Sequence, residues 1–98
     1  MTVFLTAEAE GDLEAIGDYI ARGNPIRAVS FIRELRAKCL NLKEMPRRFP
    51  LVPRYENFDV RRRVHENYVI FYRINGEDVI VLHILHGAQD YERILFSG

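Results

Sequence analysis

The chain is poor in cysteine: Cys39 is the only one in 98 residues. A lone thiol closes no internal disulfide and supplies no cysteine-type metal site, so a reducing compartment fits best. Cys39 also falls on the apolar face of an expected helix, where a packing role is the ordinary one. No apolar run approaches the roughly 20 residues needed to span a bilayer. The N-terminus lacks the basic-then-apolar pattern of a secretory signal, and a soluble cytoplasmic protein with no membrane partner is expected. Bulk charge is missing too, since 14 basic and 14 acidic residues cancel. Net charge therefore argues neither for nor against nucleic acid. Internal repeats, low-complexity tracts and linkers are absent, which leaves a single domain over residues 1–98. No glycine-rich phosphate loop is present. A nucleophilic triad is discounted, because Cys39 is placed in the core and Ser30 and Ser97 stand in unpromising contexts. No cofactor or metal is expected.

What is present is an ordinary globular balance, 48% hydrophobic and 29% charged, enough for one core. The charges are unevenly spread. The first helical segment carries Glu8, Glu10, Asp12, Glu14 and Asp18, whereas Pro46 to His65 carries six arginines against Glu56 and Asp59. A basic patch on a neutral molecule points to a local anionic partner.

Val3, Phe4 and Leu5 form a short apolar run ending at Thr6, a good helix N-cap, which predicts a brief strand leading into a helix. Ala9, Leu13, Ile16 and Ile20 then mark one face of that helix, flanked by Tyr19. Gly11 and Gly17 each weaken it by roughly 1 kcal/mol relative to alanine, a cost that packing would offset. Gly23 with Asn24 and Pro25 reads as a stop and restart. The second helix turns Ala28, Ile32, Leu35, Cys39 and Leu42 inward, with Phe31 at the edge, and Pro46 ends it. Val29, Arg33, Arg36, Leu40 and Lys43 share another face: either a solvated flank or a groove edge for an amphipathic partner segment. Pro46, Pro50 and Pro53 then hold an extended connection too rich in proline for a central strand.

From Phe58 to Leu95 the pattern predicts three strands joined by two tight turns, then a polar tail carrying His86, Gly87, Asp90 and Tyr91. Asn75-Gly76 is a strong hairpin signal and Glu66-Asn67 a weaker one. The expected fold is α+β: a short N-terminal strand, an α-helical hairpin and a three-stranded antiparallel meander, with the helices on one sheet face. Strand alternation with these turns places Val60, Val64, Val69, Phe71, Ile80, Leu82 and Ile84 on one face, taken to meet the helices. Arg61, Arg63, His65, Tyr68, Ile70, Tyr72, Val79, Val81 and His83 share the other. That second face reads as open, with only the tail to cover it. It is either a plain solvated surface or a docking surface for nucleic acid or an acidic peptide. Arg62 is the exception on the apolar side, expected to reach the edge or to pair with Asp78 or a helix carboxylate.

Acid–base chemistry on RNA stays open at this point: His65 or His83 would move a proton near neutral pH, and Arg61 or Arg63 would steady a pentacoordinate phosphate. A histidine on a sheet also serves as a plain hydrogen-bonding residue. His83 and His86, three apart on a strand, point to opposite faces and do not share a metal.

The order of elements, the segment YVIFYRINGEDVIVLHILHGAQD and the tail YERIL together resemble the ParE branch of the RelE/ParE toxins of bacterial toxin–antitoxin systems. The resemblance runs from LTAEAEGDLEAIGDYI to Leu95. It implies a small toxin neutralised by a ParD-type antitoxin that wraps the helical hairpin and the sheet, forming a hetero-oligomer that meets DNA only indirectly. It implies DNA gyrase as target, with the cleaved complex trapped and no enzymatic activity of the toxin's own. The RelE branch implies the alternative, a ribosome-dependent mRNA endonuclease, for which His83, His65, Arg61, Arg63 and Tyr91 are the catalytic candidates; a toxin-fold protein with a different target is the other alternative. HGAQD favours the ParE branch, and no lysine follows Lys43. The implied target-binding surface is Arg61, Arg63, Tyr72, His83, His86, Asp90 and Tyr91; the implied antitoxin-binding surface is Val29, Arg33, Arg36, Leu40 and Tyr68. Gln89 departs from the arginine usual in the family before Asp90, which removes a charge from the tail.

Overall fold

A computed structural model describes residues 1–96; Ser97 lies outside the described residues. The elements are β1 (Val3–Leu5), α1 (Ala7–Ala21), α2 (Pro25–Leu40), a 3-10 turn (Asn41–Lys43), a second 3-10 turn (Glu56–Phe58), β2 (Arg61–His65), β3 (Tyr68–Asn75), β4 (Asp78–His86) and α3 (Tyr91–Phe96). The sheet order is β1-β4-β3-β2, with β1 parallel to β4 and the other neighbours antiparallel. This is the expected α+β architecture. No helix among the described residues is long and apolar enough to cross a membrane.

Both long helices start where their caps predict. The Thr6 hydroxyl accepts from the Ala9 amide at 3.1 Å, and the Asn24 side chain accepts from the Arg27 amide at 3.0 Å with Pro25 at the first helical position. Each cap satisfies an amide that has no partner inside the helix. Gly17 lies against α2: a Cβ there would come within 3.3 Å of Ile32 Cγ1, whereas one at Gly11 would meet nothing within 4 Å. Packing therefore explains one helical glycine and not the other.

The hairpin turns are tight. Glu66 and Asn67 link His65 to its partner Tyr68, and Glu66 takes up a left-handed φ of 53°. The second turn is Gly76-Glu77, one residue later than expected, closing on the Asn75–Asp78 pair. Gly76 has a φ of 63°, the conformation glycine adopts without a steric cost.

The grouping of side chains by face is as expected up to Val81, but the orientation of the sheet is reversed. Ile70, Tyr72, Val79 and Val81 lie under the helices with Ala9, Leu13, Ile16, Phe31, Leu35, Cys39 and Leu42. Val60, Val69 and Phe71 form a second core with Val52 and Leu85, covered by Tyr55, Tyr91, Leu95 and Phe96. The sheet is thus packed on both faces, the second by the proline-rich connection and α3. Val64, expected to meet the helices, is 63% exposed. The reversal has a physical cause. Tyrosine and arginine count as polar in a sequence pattern, yet their rings and stems bury as well as valine does when the polar tip finds a partner.

A bulge changes the parity of β4. Phe71 pairs with His83 while Tyr72 pairs with Val81, leaving Leu82 without a partner residue. Ile84 consequently joins the helix side and Leu85 the opposite one. The side chains of α1 and its cap satisfy the disrupted ladder. Thr6 Oγ1 donates to the Leu82 carbonyl at 2.9 Å, and Asp12 Oδ2 accepts from the Ile84 amide at 2.9 Å.

Candidate functional site

Arg61 and Arg63 of β2 are fastened to the end of α2 and the connection that follows it. Arg61 Nη1 donates to the carbonyls of Phe49 at 2.7 Å and Arg47 at 3.2 Å. Arg63 Nη1 donates to the Lys38 carbonyl at 3.0 Å and to Asn41 Oδ1 at 3.2 Å. The Lys38 carbonyl belongs to the last turn of α2, where free carbonyls and the helix dipole favour a cation. Burial, followed by the neighbouring charge of Arg48, pushes Arg63 below the usual arginine range. Tyr72 is fully buried and donates its hydroxyl to the Pro46 carbonyl at 2.6 Å. It presents no surface to a target, which corrects the expectation of an open face led by Tyr72.

His65 sits in a separate network. Its Nε2 lies 3.1 Å from Glu34 Oε1 and 3.6 Å from Glu66 Oε2, and its ring stacks on Phe31 at 5.5 Å. Arg27 bonds to both Glu34 and Glu66. Its hydrogen bond, ahead of that from His65, holds the Glu34 carboxyl below its usual range. Ligand atoms of Glu34, His65 and Glu66 lie within 4.8 Å of one another. This is an arrangement that the sequence spacing did not announce, and Arg27 already spans its two carboxylates.

His83 lies at the bulge, its Nδ1 2.8 Å from Asp12 Oδ2. The same carboxylate oxygen holds the Ile84 amide, so the contact joins α1 to β4. Tyr91 packs against Phe71 with ring centroids 4.9 Å apart and accepts a hydrogen bond from Arg62 Nη1 at 3.3 Å. Arg62 thus reaches the tail rather than Asp78 or a helix carboxylate. The five residues considered for acid–base chemistry therefore have different partners: carbonyls for Arg61 and Arg63, Glu34 for His65, Asp12 for His83 and Arg62 for Tyr91.

The segment after β4 is exposed from Gly87 to Asp90. His86 Nδ1 accepts from the Ala88 amide at 3.0 Å, Gln89 Oε1 accepts from the His86 amide at 2.8 Å, and Asp90 accepts from the Arg93 amide at 3.4 Å at the start of α3. Gln89 thereby shapes the loop. With Tyr19, Ile20, Phe31, Tyr68 and His86 it also lines an open groove of about 590 Å3 at this end of the molecule.

On the outer side of α2, Val29 and Leu40 are 55% and 47% exposed, with Arg33 also exposed. Arg36 makes a bidentate pair with Glu10 of α1 at 2.8 and 2.9 Å, which lowers the Glu10 pKa. Tyr68 is half-buried against Phe31 and His86, away from that stripe. Ile26, 84% exposed, was missed although it stands three residues before Val29 and seven before Arg33. It extends the stripe toward the N-terminus of α2.

The fold is shared with solved components of toxin–antitoxin complexes. One chain of the chromosomal ParDE toxin–antitoxin system from P. aeruginosa superposes with a TM-score of 0.77 at 21% identity, over 88% of this chain and 95% of that one. A chain of the RelBE2 toxin–antitoxin complex from Mycobacterium tuberculosis gives 0.66 at 23% identity, over 90% and 92%. No curated protein matches the sequence. The family described as the ParE toxin of the parDE type II toxin–antitoxin system matches residues 3–91. The protein belongs to the ParE toxin family.

Proposed function

We propose that this protein arrests bacterial growth by binding and poisoning DNA gyrase, without chemistry of its own, and is neutralised by a ParD-type antitoxin. The observation that carries the non-enzymatic reading is the dispersal of the acid–base candidates. His65 and His83 are held by carboxylates of different helices, Glu34 of α2 and Asp12 of α1, and Arg61 and Arg63 by carbonyls. A ribonuclease needs an acid, a base and a phosphate-stabilising cation within hydrogen-bond reach of one reacting group. The target surface in this reading is the end of the molecule at His86, Asp90 and Tyr91, exposed from Gly87 to Asp90 and reached from β2 by Arg62, together with Arg61 and Arg63 on the other side of the sheet.

The antitoxin contact is assigned to the outer stripe of α2, at Ile26, Val29, Arg33 and Leu40. Exposed apolar residues at helical spacing beside a cation suit an amphipathic acidic segment. Purified toxin is expected to inhibit supercoiling and to accumulate cleaved DNA, and no effect at a large molar excess would sink the gyrase reading. Primer extension on transcripts after induction separates the alternative, since discrete cuts inside codons belong only to an endonuclease. Charge reversal at Arg33 is expected to weaken the antitoxin complex, and unchanged affinity would remove that contact.

A further inference from the structure

Two arginines lie over one aromatic ring, and two more stand beside them through a backbone carbonyl and a shared recess. The guanidinium carbon of Arg63 lies 4.7 Å from the Phe49 centroid and that of Arg48 5.7 Å from it. Arg61 is bonded to the carbonyl of that same Phe49. Arg47 and Arg61 line one recess of about 260 Å3 with Leu51, Asp59 and Ile74. Among the described residues none of these four arginines forms an ion pair. Carbonyl bonds and the ring face hold the guanidiniums in place but do not cancel their charge, and like charges held together repel. Arg61 and Arg63 spend Nη1 on carbonyl oxygens, and no hydrogen bond within the described chain uses their Nη2. Arg47 and Arg48 are exposed.

We propose that Arg47, Arg48, Arg61 and Arg63 form a docking site for the phosphate backbone of duplex DNA. The inference rests on the gyrase reading, because a toxin that traps a cleaved complex acts where DNA is already held. It departs from the expectation that DNA is met only through the antitoxin. A guanidinium fork matches phosphate oxygens, and pre-anchored arginines lose less freedom on binding than free ones. An acidic amphipathic peptide also carries the right charge, but it needs apolar seats beside its acids. The longer run of exposed apolar side chains lies along α2, at Ile26, Val29 and Leu40, and the arginines themselves have Met45 and the Leu40 end of that run beside them; binding of an acidic peptide is therefore an outcome the test separates.

The test uses full-length toxin and an Arg47→Glu/Arg48→Glu double variant, with circular dichroism and thermal melting to check the fold. Binding to a fluorescein-labelled duplex is followed by anisotropy across a salt series. Each phosphate neutralised contributes about −0.9 to the slope of log K against log salt, so four arginines predict a slope of about −3 to −4. The double variant is expected to bind at least tenfold more weakly, with a slope shallower by about 2. Equal affinity and slope for the two proteins would overturn the proposal. So would preserved DNA binding with lost affinity for an acidic antitoxin peptide, or preference for single-stranded RNA that is then cut. The two readings fail separately. A wild type that binds duplex but never traps gyrase sinks the gyrase reading alone, and a wild type that traps gyrase while the double variant binds duplex with its affinity and slope sinks the DNA site alone.

Discussion

The Tyr72 hydroxyl lies 2.6 Å from the Pro46 carbonyl on a side chain with no solvent access, so one buried bond helps tie the connection after α2 to the sheet. Tyr72→Phe keeps the ring and strands the carbonyl; a loss of about 1–3 kcal/mol is expected in urea unfolding, and an unchanged midpoint would show that the bond contributes nothing. Burial also raises two acids in this core, the Cys39 thiol to about 12 and the Tyr72 phenol to about 12, from ordinary values of 9.0 and 10.0. Both groups hold their protons more tightly folded than unfolded. Their contribution is therefore complete below pH 9 and is lost as pH rises toward 12. Unfolding free energy should fall over that window, and Cys39→Ala should decline less steeply there than wild type; parallel curves would contradict the assignment. Single residues were where sequence reasoning failed most. Tyr72, Arg61 and Arg63 look like surface groups because their polar tips are visible in the sequence and the backbone carbonyls that receive those tips are not.

Elements were more legible, since their signals are local. Thr6 and Asn24 cap the helices they precede, Pro25 stands at a first helical position, and both hairpins turn where Glu66-Asn67 and Asn75-Gly76 pointed, to within one residue. The bulge at Leu82 was not legible. A bulge is a count of two residues against one on a neighbouring strand, and no property of Leu82 reports it. Its carbonyl and the Ile84 amide are instead received by Thr6 and Asp12, far away in sequence. The helical glycines give a sharp comparison at this scale. Gly11→Ala should stabilise the protein by about 0.5–1 kcal/mol through helix propensity, because a methyl there meets nothing within 4 Å. Gly17→Ala should gain less, because its methyl presses on Ile32. Thermal melting of the pair checks this, and equal gains would mean that the helices do not approach closely at Gly17.

For the molecule as a whole, α+β architecture and ParE kinship were readable because the order of elements survives any error about which sheet face is buried. The surface was not. Both sheet faces carry a packed core, one under α1 and α2 and the other under residues 52–60 and α3, so the surfaces assigned to partners lie at the margin: the outer stripe of α2, the arginines near Phe49 and the loop from Gly87 to Asp90. The loop depends on Gln89, whose side chain fills a backbone hydrogen bond where the family resemblance led to arginine. The central claim is that this margin acts by binding rather than catalysis. Its most direct test is a gyrase reaction with purified toxin, scored for linear cleaved DNA beside a transcript incubated with translating ribosomes. The account predicts toxin-dependent cleaved complexes with transcripts left intact; intact DNA with transcripts cut inside codons would contradict it.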